Sequence, residues 1–318
     1  MKVNNNQQNQ TTNKEYNYFT YPRNFVPYKW AKPILVFILF IVIYLILSTL
    51  IAFAIGASGY NITGLIGGGY DAMEVTTARG ALLSVGTVSL MLPVLAFAIF
   101  VVKDRPYSSY SSARGGWNYK IFFLSMLVAL IIYVIGWIIS YLSGNLQPFN
   151  NQFSLIAFIL VTVLVPIQCV SEEYLFRGLL MQTIGSWTRL PIFALIIQTA
   201  IFMALHPYNI IGRISVGISA VVFGLCAWAG RGLEVSSALH VVNNLFAFYM
   251  SGFGVDPIAS NVPIRDLFSS EIKGVIFLVV MLIIIRKCSW FSQIKKDDIT
   301  PFNEKTAARA EKKRAGKK

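Results

Sequence analysis

The chain is poor in charge, in histidine and in cysteine. Of its 318 residues only 13% are charged while 55% are hydrophobic, and the mean hydropathy is +0.61. An ordinary soluble domain is excluded, since about a quarter of its residues would be charged. The three cysteines, Cys169, Cys226 and Cys288, lie in or at the ends of apolar runs, and no two form a C-x-x-C pair. Neither a disulfide framework nor a cysteine-built zinc site is expected, and the thiols read as free and buried. Acids number 14 against 27 lysines and arginines, a net charge of +13. No nucleic-acid motif accompanies these bases, so nucleic acid is not an expected partner. Their positions between apolar runs fit membrane topology and attraction to anionic lipid. Also missing are the H-E-x-x-H zinc motif, the matched broken halves of a repeat-built transporter, and a short cleavable leader ahead of the first apolar run.

What is abundant is apolar sequence long enough to cross a bilayer, which takes roughly 20 residues per helix. The clearest runs start near Lys32, Ala81 and Lys120, and a fourth extends from about Phe153 into the stretch "SEEYLFRGLL". More polar runs follow at 191–206, 214–230 and 235–250, and a final one at 274–286. The expected fold is therefore all-α, a multi-pass bundle of about eight transmembrane helices. Residues 1–31 form a polar, disordered lead and 32–150 the first three helices. Residues 151–250 form a catalytic core, 251–288 a loop with the last helix, and 289–318 a basic tail. Short cytoplasmic loops collect Lys and Arg. Lys14, Arg23, Lys29 and Lys32 before the first run, Lys103, Arg105, Arg114 and Lys120 between the second and third, and Arg286, Lys287, Lys295 and Lys296 at the end all fit that side. The expected location is the cell membrane, with both termini cytoplasmic.

Polar groups in the later runs are not scattered. Glu173 and Arg177 are spaced i, i+4 and can pair on one helical face in the favourable acid-first order. Glu172, turned by about 100° from its neighbour, has no local cation and stays available. Both histidines of the chain lie in apolar runs. Phe202 and His206 share an i, i+4 face, as do His240 and Asn244. Ionisable side chains inside membrane spans are costly and mark functional sites by default.

The order E-E-x-x-x-R, F-x-x-x-H, H-x-x-x-N on successive apolar runs closely resembles the CAAX protease and bacteriocin-processing family of intramembrane endopeptidases. The residues that carry the resemblance are Glu172, Glu173 and Arg177, then Phe202 and His206, then His240 and Asn244. The resemblance implies that Glu172 is the general base and His206 holds or activates the water. His240 with Asn244 then stabilises the oxyanion, and Glu173 and Arg177 brace the first motif. It implies a membrane-associated peptide or protein as substrate, in peptide maturation, bacteriocin immunity or surface-protein regulation. Zinc is a possible cofactor, with Glu172, His206 and His240 as its ligands.

Other readings of the same residues stay open. Glu173 with Arg177 is also a plain salt bridge, and His240 with Asn244 an interhelical clamp. Cys169, a turn before Glu172, reads as a small apolar side chain rather than a nucleophile. A non-catalytic scaffold that binds a membrane-protein partner would keep the same polar set. A proton-coupled transporter would also place carboxylate and imidazole within the membrane.

Overall fold

The computed structural model describes residues 17–25, 27–62, 75–255 and 261–291, with isolated positions 308, 312 and 315 in the tail. The polar lead to residue 16, Asp71, Glu74, Lys295 and Lys296 lie outside the described residues, as does most of the tail. Among the described residues the fold is all-α, with no strand and one isolated antiparallel bridge, Ser112 to Gly232.

Eight helical rods can be traced among the described residues. They are α1 (Lys32–Ala57), α2 (Ala78–Val102), α3 (Tyr119–Leu142), α4 (Leu155–Thr188), α5 (Pro191–Ala204), α6 (Ile210–Ala229), α7 (Glu234–Gly252) and α8 (Ile264–Lys287). Five of them, α1 to α4 and α6, are long and apolar enough to cross a membrane, which bears out a membrane helix bundle but not the expected count of about eight crossings. At 14 residues α5 is apolar but short of a full crossing. α1 is apolar all round, and only 11% of its most apolar window is buried, as expected of a helix whose neighbours are lipid.

Contacts at the two ends show the rods alternating in direction. At one end Tyr18 Oη donates to the Tyr110 carbonyl, Ala113 N–H to the Arg231 carbonyl, and the Lys120 ammonium lies over the Trp290 ring. The described beginning and end of the chain therefore share one end of the bundle. At the other, the strand-like stretch before α4 is tied to the end of α7 by Asn150 N–H to Phe253 O and Gln152 N–H to Gly252 O. Gly252 permits this approach, because a Cβ there would stand 1.9 Å from the Phe153 ring.

Two expectations change at the first of these ends. The disorder expected over 1–31 does not extend to residues 17–25, where Tyr18, Phe19, Tyr21 and Phe25 are buried. Arg23 donates to the Ser186 carbonyl, and Gly185 lets the Phe19 backbone come so near that a Cβ would lie 2.7 Å from its oxygen. Arg105 and Arg114, read from sequence as loop cations, are likewise buried. Arg105 donates to the Gly178 carbonyl and stacks on Tyr110, while Arg114 pairs with buried Glu234 at 2.7 Å. A buried guanidinium persists only with a carboxylate or carbonyls around it, and α4 supplies the carbonyl and α7 the carboxylate.

Candidate active site

α4 carries the acidic motif and changes its winding there. Its regular helix ends at Glu173, and a wider π turn runs over Tyr174–Met181. Such turns recur at functional sites. Despite the change, Arg177 Nη1 donates to Glu173 Oε1 at 2.9 Å, with both side chains fully buried. Arg177 also donates from Nη2 to the Ala220 carbonyl of α6, and its guanidinium lies over the Phe202 and Phe223 rings at 4.8 and 5.2 Å. Motif residues from α4 and α5 thus meet around one cation.

The same Glu173 oxygen faces His240 Nδ1 on α7 at 3.0 Å. An ionised carboxylate only accepts, so Nδ1 carries the proton and points Nε2 the other way. Nε2 lies 3.7 Å from Glu172 Oε2. Phe223 stacks on the imidazole with ring centroids 4.6 Å apart, which holds its plane. Glu172 is buried at 6% exposure; its Oε1 accepts from Gln168 Nε2 at 2.8 Å, while its Oε2 has no hydrogen-bond partner. A buried, unpaired carboxylate oxygen is costly unless something polar is meant to reach it.

His206 sits differently from the sequence expectation. α5 ends at Ala204, so His206 lies in the turn after the helix rather than on it. It nevertheless keeps the expected neighbour: Nδ1 bonds the Phe202 carbonyl at 2.7 Å and the two rings are 4.4 Å apart. Because a carbonyl accepts, this bond sets the proton on Nδ1 and leaves Nε2 as an acceptor. Asn244 is bonded to its sequence neighbour, for Asn243 Nδ2 donates to Asn244 Oδ1 at 3.0 Å. The Cys169 thiol points at the His240 carbonyl, 3.5 Å away, and serves the α4–α7 contact as a small buried group.

Glu172, Glu173, Arg177, Phe202 and His240 are thus linked by direct contacts, with His206 joined through Phe202. Gln168, Phe223 and Asn243 were not read from the sequence. Gln168 could have been found one turn before Glu172, whereas Phe223 had no signal. Among the described residues no group of three His, Cys, Asp or Glu side chains is arranged to hold a metal ion.

Removing Arg177 should be severe for folding. It would leave Glu173 buried without its cation, a change that typically costs about 3–5 kcal/mol. Arg177→Ala is expected to give little folded protein and a clearly lower denaturation midpoint in detergent. A midpoint equal to wild type would show that His240 alone suffices for Glu173.

A membrane helix bundle that gathers carboxylates, imidazoles and a braced arginine between its rods has the parts of an intramembrane hydrolase. Residues 151–246, the segment holding every one of these groups, match the family described as type II CAAX prenyl endopeptidase Rce1-like. This agrees with the family that the motif order resembles. The chain is also similar to the uncharacterized protein YyaK of Bacillus subtilis (strain 168), 28% identical over 167 residues. That alignment covers 49% of this chain and 56% of the relative, so the chain spans little more than half the relative's length. No solved structure matches the chain.

Proposed function

We propose that the chain is a glutamate-dependent intramembrane endopeptidase that cleaves a membrane-associated peptide or protein. The observation that carries this reading is the buried Glu172 carboxylate, held at one oxygen by Gln168 and unpartnered at the other, 3.7 Å from His240 Nε2. Glu172 takes a proton from water as the water oxygen attacks the scissile carbonyl carbon, and later returns it to the departing amine. His206, with Nε2 free to accept, orients the attacking water. The carbonyl oxygen gains negative charge in the transition state, where aimed donors act most strongly. Asn244 supplies one donor. His240 supplies the other from Nε2 when both its nitrogens are protonated, a form in which each N–H faces a carboxylate. Glu173 and Arg177 position His240 and take no part in the proton transfers. No step is routed through a metal. The test is to compare membrane peptides from cells carrying wild type or Glu172→Ala. A peptide that accumulates uncut only in the variant supports the reading, and identical peptide profiles would remove it.

The same reading places the protein in the cell membrane with both termini in the cytoplasm. Lys103 and Lys120 are the exposed cations of the α2–α3 connection, since Arg105 and Arg114 are committed inside. Lys103→Cys, in a Cys288→Ser background, should react with an impermeant thiol reagent in inside-out vesicles and not in intact cells. Labelling of intact cells alone would invert the topology.

A further inference from the structure

A carboxamide can present either its oxygen or its nitrogen, and an oxyanion accepts help only from the nitrogen. What decides the end that Asn244 presents is a chain of hydrogen bonds outside the motif. On α3, Tyr133 Oη donates to Asn243 Oδ1 at 2.7 Å. With its oxygen so engaged, Asn243 turns its amide nitrogen towards its neighbour and donates to Asn244 Oδ1 at 3.0 Å. Asn244 therefore has its oxygen taken and its N–H end free to act as donor. Asn244 sits one helical turn after His240 on α7, the helix whose His240 carbonyl meets the Cys169 thiol of α4. Tyr133 itself is fixed, with the Lys273 ammonium 4.9 Å above its ring and Phe246 packed at 5.4 Å between centroids.

We infer that Tyr133 and Asn243 are positioning residues that lock the Asn244 amide with its donor facing the reacting carbonyl. The inference rests on the oxyanion role given to Asn244 above. It makes α3, which lies outside the residues matched to the family, part of the catalytic apparatus. The relay runs in one direction: hydroxyl to amide oxygen, amide nitrogen to amide oxygen, amide nitrogen to substrate.

The test is a double-mutant cycle. Asn243→Asp keeps the size and the bond from Tyr133 but has no N–H to give, so Asn244 is free to flip. Expected is a fall in kcat of about 10- to 100-fold, the scale of a misplaced catalytic group, with KM unchanged and a wild-type denaturation midpoint. Tyr133→Phe should act in the same direction, more weakly. In an Asn244→Ala background neither change should lower kcat further. Wild-type kcat in Asn243→Asp, or an equal fall with and without Asn244, overturns the inference. Should Asn244→Ala alone leave kcat intact, the oxyanion assignment itself fails, and the two failures are told apart.

Discussion

Glu172→Gln is expected to cut turnover by on the order of 100- to 10,000-fold, the usual contribution of a positioned acid or base, while the yield of folded protein stays at wild type. The contrast follows from the contacts of the two oxygens. Gln168 Nε2 bonds Glu172 Oε1, and a glutamine carbonyl at 172 can accept that bond equally well. Glu172 Oε2 bears on nothing else within hydrogen-bonding distance, so its replacement breaks no structural link. What glutamine cannot do is take a proton. Single-turnover cleavage by purified, reconstituted protein measures the effect, with the detergent denaturation midpoint as control. Unchanged turnover would show that Glu172 is not the base, whereas absence of cleavage by wild type and variant alike would favour a scaffold that binds a partner.

Asn244→Ala is expected to lower kcat by about 100- to 1,000-fold, roughly 2.7–4 kcal/mol of lost transition-state stabilisation. Substrate binding should change little, because the charge that this amide meets exists only in the transition state. The side chain is partly buried and bonded to its sequence neighbour rather than across to another motif residue. Loss of fold is therefore not the expected outcome. Unfolding of the variant with retained cleavage would return this residue to the role of an interhelical clamp.

The features legible in the sequence were those with a short reach along the chain. The Glu173–Arg177 pair follows from one turn of helix, and the apolar rods follow from their length. That Glu172 and Glu173 meet different partners also follows from their rotation about the helix axis. What remained hidden was set by tertiary contact. The bond from His240 to Glu173 joins residues 67 positions apart, and nothing local to either predicts it. Arg105 and Arg114 looked like topological charges because their carboxylate and carbonyl partners lie on other elements. The aromatic segment 17–25 has no helical or strand period, so its burial could not be seen without the rods it packs against. His206 was misplaced by a boundary: α5 stops two residues before it.

That aromatic segment also bears on the order in which the molecule is completed. Arg23 meets Ser186 across 163 residues of chain, and Ser186 Oγ meets the Phe19 carbonyl across 167. Synthesis delivers the segment first and its seat much later, and contacts of such separation are slow to form because a long loop must close before they reward it. Residues 17–25 therefore wait, with apolar rings unburied, until α4 has emerged whole. The segment thus seals a bundle whose first half is already in the membrane, finding its place after helices that follow it in the chain.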